Sequence, residues 1–65
     1  MHAGTVAVDP AVIRLGSRLR IPGYGRGHAE DTGGVIHGFH IDVWMASCTA
    51  ARRWGVRRLR VWVGR

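Results

Sequence analysis

A chain of 65 residues makes one small domain, with a modest core. Its formal charge of +6 is carried by Arg alone, with no Lys, and favours polyanionic partners. The single Cys excludes an internal disulfide and a cysteine-built zinc site, and no apolar run is long enough to span a membrane.

Met1 to Gly4 lead straight into a strand, so no signal peptide is visible. Thr5 to Val8 is rich in β-branched residues and reads as that strand. Asp9-Pro10 ends it, because Pro fixes its own φ and holds the preceding residue extended. Ala11 to Ile13 is a short connection and Leu15-Gly16-Ser17 a bend. In Arg18-Leu19-Arg20-Ile21 polar and apolar residues alternate, so Leu19 and Ile21 face inward. Pro22-Gly23 signals a turn. Tyr24 to Ala29 follows as a strand with glycines at alternate positions, a bare face that another backbone or a ligand can approach. Its glycine spacing does not match a dinucleotide loop.

Thr32-Gly33-Gly34 permits a tight reversal. Val35-Ile36 reads as a short strand and His37-Gly38 as a turn. Phe39 to Trp44 is the clearest buried strand, with Ile41 and Val43 on one face and His40, Asp42 and Trp44 on the other. Ser47 suits an N-cap, and Cys48 to Trp54 reads as the helix. Ala50, Ala51 and Trp54 would pack inward, and Cys48 reads as a packed thiol rather than a nucleophile, since no triad motif accompanies it. Gly55 is a natural stop. Arg58 to Val63 alternates again, pointing Leu59, Val61 and Val63 in. The histidines lack metal-ligand spacing, and the His37/His40 pair fits a solvated or substrate-facing role better than a metal.

Only four carboxylates occur: Asp9, Glu30, Asp31 and Asp42. The aspartates stand beside apolar residues and glycines. A carboxyl held against apolar neighbours loses solvation of its charged form, and the raised pKa that results suits a general acid near neutral pH. Turn capping is the other common role for Asp in such settings.

Taken together, Val-Ala-Val-Asp-Pro (6–10), Leu-Gly-Ser (15–17), Ile-Pro-Gly-Tyr-Gly (21–25), Glu-Asp-Thr-Gly-Gly (30–34), Ile-His-Gly (36–38) and Ile-Asp-Val (41–43) resemble the 3D domain, named for three aspartates. These map onto Asp9, Asp31 and Asp42. The resemblance runs from about Gly4 to Val63, so residues 1–65 form a single 3D domain. That domain is shared by the C-terminal part of the membrane-bound lytic transglycosylase A family and by secreted Gram-positive cell-wall proteins. The resemblance implies a mainly β fold: a small six-stranded double-psi β-barrel-like domain with one short helix, incomplete at the N-terminus because the family's upstream strands are absent. Periodicity alone gives a small β-rich barrel or sheet.

The resemblance also implies a peptidoglycan-active domain of the cell envelope or exterior. It would cleave the β-1,4 bond between N-acetylmuramic acid and N-acetylglucosamine, leave a 1,6-anhydro sugar, and need no cofactor. The sugar's own C6 hydroxyl attacks in that reaction, so one carboxyl suffices where a hydrolase usually positions two. Asp31 takes the acid–base role on this reading, since the glycine turn beside it gives a bulky glycan access. Asp42 is the second catalytic candidate. Asp9, ahead of Pro10, belongs to the substrate site as the residue that holds a turn at its edge, and Thr32, Gly33 and Gly34 would line that site, with Tyr24 and Trp44 stacking on sugar rings; core packing is the other role open to both aromatics. His37 stands where relatives commonly carry Lys.

Two other readings remain open. The same fold would serve a noncatalytic module binding wall polysaccharide, with anionic wall polymers as further partners of the Arg side chains. A small Arg-rich nucleic-acid-binding protein, with Trp54 and Trp62 as stacking rings, is the weaker reading: no recognition motif supports it and it leaves the aspartate pattern unexplained.

Overall fold

A computed structural model describes residues 2–33 and 36–64. Five strands and one helix follow in chain order: β1 (Thr5–Val8), β2 (Arg18–Ile21), β3 (Gly25–Asp31), β4 (Ile41–Val43), α1 (Cys48–Trp54) and β5 (Trp62–Gly64). The strands form one sheet in the order β4-β1-β3-β2-β5. β1 runs parallel to β3 and antiparallel to β4, and β2 is antiparallel to both β3 and β5.

The β-branched run of β1 lies next to the middle of the sheet and is buried along its whole length. Val6 and Val8 point into the core with Leu19, Ile21 and Ala29. Burying a Val, Leu or Ile side chain of this kind contributes about 1.5–3 kcal/mol. Ile13, Tyr24, Ile41, Val43, Trp54 and Val61 pack around that cluster. The close approach of β1 to β3 depends on Gly27, where a Cβ would stand 2.7 Å from Val6 Cγ2. The bare glycine face expected from sequence therefore receives a neighbouring strand.

Pro22-Gly23 turns β2 into β3. The Tyr24 N–H donates to the Ile21 carbonyl at 3.0 Å and Gly23 has φ +83°, the pattern of a type II turn. Helix α1 has its expected bounds. The Ser47 hydroxyl accepts the Ala50 N–H at 3.0 Å, and Gly55 ends the helix at φ +60°. The helix docks through Trp54, whose ring lies over the Gly23 turn and meets Tyr24 edge-on at 6.0 Å.

Several expectations are corrected. Among the described residues there are five strands rather than six, and the sheet is open, with β4 and β5 at its edges instead of closing into a barrel. Of the Val35-Ile36 strand, Val35 lies outside the described residues and Ile36 belongs to no strand. The strand expected over Phe39 to Trp44 shrinks to Ile41–Val43, and Phe39 is 94% exposed. The cause is local. Gly38 adopts φ +69° and gives its N–H to the Asp9 carboxylate, so residues 38–40 join no ladder.

The last strand begins at Trp62 rather than Arg58. It pairs only with Arg18–Arg20 of β2, and Leu59 and Val63 stay substantially exposed at this edge. Cys48 is exposed, not packed, and Ala51 is exposed as well, because α1 rests on Trp54 rather than on its first turn. No described helix is long and apolar enough to cross a membrane.

Candidate functional site

One row across the sheet gathers two of the aspartates. Ala7 of β1 pairs with Asp31 of β3 on one side and with Asp42 of β4 on the other. Paired residues share a sheet face, so both carboxylates flank the smallest side chain on β1 that this face offers. Two strand spacings separate their Cα atoms, roughly 9.5 Å. The register shift between Val6 and Ala7 makes this possible: β3 carries an extra residue there, and without it Glu30 rather than Asp31 would stand opposite Ala7. The alternation that sends Val6 and Val8 to the core sends Thr5 and Ala7 to this second face.

The carboxylates are held differently. Asp9, just past the end of β1, accepts the Gly38 N–H at 2.7 Å and the Ala11 N–H at 2.9 Å. Those bonds, Gly38 first and Ala11 second, hold its carboxyl below the ordinary aspartate range, with a small further contribution from His37 against a slight opposing effect of burial. Asp31 is exposed, and its Oδ1 accepts the Thr32 N–H at 2.8 Å; its Oδ2 has no partner among the described residues. Asp42 is exposed and has no hydrogen-bond partner among the described residues. Glu30 accepts the Thr5 hydroxyl at 3.2 Å and lies 3.3 Å from His2 Nε2. Asp31 and Asp42 thus stand open to solvent rather than enclosed by the apolar residues beside them in sequence.

Thr32 and Gly33 continue from Asp31 over the row. A Cβ on Gly33 would stand 2.7 Å from Ile36 Cγ1 and 3.7 Å from Ala7 Cβ, so this glycine is needed for close approach, not for a positive φ. Gly34 lies outside the described residues.

The predicted aromatics lie towards the Gly4 end of β1, with Trp44 one pair along from the row, opposite Thr5. Tyr24 is committed to structure: its hydroxyl donates to the Trp44 carbonyl at 2.7 Å and accepts the Gly4 N–H at 3.1 Å. Trp44 is half-buried, and its N–H donates to the Thr5 carbonyl at 3.0 Å, extending the β1–β4 pairing. Both rings line an open cleft of about 730 Å³ with Trp54 and Arg57. The Arg57 guanidinium lies 4.2 Å from the Trp54 ring centre. Sequence reasoning did not foresee this cleft, nor Ala7 as the spacer between the aspartates. The signal for Ala7 was its place between two core-facing valines of a strand whose partners each carry an Asp. Among the described residues, no three His, Cys, Asp or Glu side chains group as a metal site.

A small open β-sheet with aspartates ranged on one face is the class that fold and site define. The sequence matches the 3D domain family over residues 4–64, and the chain belongs to that family. It is 48% identical over 60 residues to a cell wall-binding protein, YocH, and 43% identical over 60 residues to a putative cell wall shaping protein, YabE, both of Bacillus subtilis strain 168. Each match covers 92% of this chain but only 21% and 15% of those relatives. No solved structure matches it significantly.

Proposed function

We propose that this domain engages the glycan strands of peptidoglycan in the cell envelope and cleaves them as a lytic transglycosylase. The observation that carries the reading is the Asp31–Ala7–Asp42 row, two exposed carboxylates on one sheet face with a buried alanine between them. A covalent retaining pair needs its carboxyls about 5–5.5 Å apart, which two strand spacings do not readily provide. Transglycosylation has no such requirement. The Asp31 carboxyl, through Oδ2, protonates the glycosidic oxygen as the bond from C1 breaks. The C6 hydroxyl of the same sugar attacks C1 and yields its proton to the Asp31 carboxylate, which closes the anhydro ring and restores the acid. Asp42, whose carboxylate has no partner among the described residues, binds sugar hydroxyls beside it, and the Thr32-Gly33 backbone admits the strand. The wall-related names of the two Bacillus relatives support the substrate.

A second reading has its own support: the relative of 48% identity is described as a binding protein. On that reading the same face holds the glycan without cutting it. Incubating the chain with purified sacculi and analysing the soluble fraction by mass spectrometry separates the two. Anhydro-muropeptides released by the wild type and lost in Asp31→Asn are the expected result. Co-sedimentation with sacculi and no release would replace the enzyme by the binding module, and neither would overturn both.

A further inference from the structure

The face that carries the aspartates is bipolar. Towards β4 it holds Asp42 and Asp31; towards β5 it holds Arg18, Arg20 and Arg26, arranged around Trp62 and His28. Arg20 stands directly opposite Arg26 in the β2–β3 pair and opposite Trp62 in the β2–β5 pair, while Arg18 stands opposite His28. All of these side chains are exposed. Like charges placed directly opposite one another across a ladder are destabilising. Nothing within the described residues relieves this pair. Among them no carboxylate lies within ion-pair distance of Arg18, Arg20 or Arg26, and none of the three makes a side-chain hydrogen bond. The one ion pair there joins His2 to Glu30. The result is a concentrated positive charge beside a shallow groove along β2, β3 and β5.

We infer that this Arg patch is a second binding surface, for a flexible phosphodiester-linked polyol chain of the wall, lying beside the glycan site on the same face. The inference rests on the wall reading above and adds a partner to it. Geometry favours a single flexible polyanion. Arg18 and Arg20 are about 7 Å apart along one strand, and Arg20 and Arg26 about 5 Å apart across two, so a bending chain sets successive phosphates against them. Guanidinium groups pair with phosphate in bidentate fashion. Trp62, 55% exposed, gives the carbon backbone of a polyol a flat apolar floor. Single-stranded nucleic acid is disfavoured, because readers of it present a series of stacking rings and this patch presents one Trp.

The test uses the whole 65-residue chain, purified poly(glycerol phosphate), and single-stranded DNA of matched charge. The expected result is saturable binding to the polyol phosphate that weakens steeply with salt and falls at least roughly tenfold in Arg20→Glu/Arg26→Glu. Arg52→Glu/Arg53→Glu makes the same charge change on exposed helix positions and should bind nearly as wild type. Circular dichroism confirms that each variant is folded, and Arg20→Gln/Arg26→Gln serves if the reversal is not. Equal loss in both double variants would show a diffuse charge effect and overturn the patch. Tighter binding to DNA would overturn the partner. Sacculi stripped of phosphate polymers by acid keep the two proposals apart. Anhydro products from stripped sacculi without polyol phosphate binding would sink this inference alone, and binding without products would sink only the cleavage reading.

Discussion

The carboxylate of Asp9 accepts the Gly38 N–H at 2.7 Å and so ties the end of β1 to the loop that enters β4. The bond reaches across 29 positions of the chain. It holds the loop that delivers Asp42 to its place opposite Ala7. Asp9 therefore acts on the site through the backbone, in keeping with the turn-holding place at the site's edge read from its position ahead of Pro10.

Its pH dependence follows with a definite sign. The folded-state pKa of Asp9 lies below its ordinary value of 3.8, so the carboxylate stabilises the fold fully above that value. The contribution is lost as pH falls through the lower, folded pKa. Thermal unfolding followed by circular dichroism should show wild type losing stability below about pH 4, with a shallower slope in Asp9→Asn. Amide exchange should show faster exchange at Gly38 in Asp9→Ala at neutral pH. An unchanged Gly38 rate would mean that the loop is held by other contacts.

Tyr24→Phe tests the other end of the sheet. The hydroxyl joins Gly4 to the carbonyl of Trp44, so its removal leaves two partly buried backbone groups without their partner. A loss of about 1–2 kcal/mol is expected in denaturant unfolding. Glycan binding at the aspartate row should change little, since Tyr24 contributes to the aromatic cleft and not to the row. Lost sugar affinity at unchanged stability would restore Tyr24 as a stacking ring.

Gly27→Ala tests the seam between β1 and β3. The added methyl would meet Val6 Cγ2 at 2.7 Å, and Val6 is fully buried with a β-branched side chain that has little freedom to yield. Overpacking of this kind costs about 1–3 kcal/mol. Gly16→Ala is a useful contrast: nothing lies within 4 Å of its Cβ, so any cost there comes from its positive φ of 89°. Urea unfolding of the pair separates crowding from backbone strain.

Where local chemistry decides, the sequence was readable. Thr5–Val8 and Arg18–Ile21 follow from alternation and β-branching, the Pro22-Gly23 turn from residue type, and α1 from its Ser47 and Gly55 caps. The misreadings lie where one distant contact overrides a local pattern. Phe39 to Trp44 alternates well enough for a long strand, but Asp9 captures the Gly38 N–H and shortens it. Arg58 to Val63 alternates as clearly, yet an edge position leaves most of it unpaired. The site was half legible. Asp31 and Asp42 stand out by their neighbours, but their shared partner Ala7 depends on a register shift that periodicity does not reveal. Trp44 stands one pair along from the row, opposite Thr5 and on the same face, whereas Tyr24 is committed to Gly4 and the Trp44 carbonyl.

Substituting the two aspartates one at a time separates chemistry from stability. Asp31 and Asp42 are both exposed, so replacing either by Asn should shift unfolding by no more than about 0.5 kcal/mol. In Asp31→Asn the amide oxygen of the new side chain can still accept the Thr32 N–H that Asp31 Oδ1 accepts at 2.8 Å, so the local turn is preserved. What disappears is the acidic proton that a carboxyl can give and take back. General acid–base catalysis contributes about 10²–10⁴ in rate, and release of anhydro-muropeptides should fall by that order in Asp31→Asn while co-sedimentation with sacculi persists. Asp42→Asn keeps a hydrogen-bonding group at its position, so it should weaken binding more than turnover at saturation. The reverse pattern, with turnover lost in Asp42→Asn and kept in Asp31→Asn, would exchange the two roles. Equal and full activity in both would remove the row from the chemistry and leave the face as a binding surface.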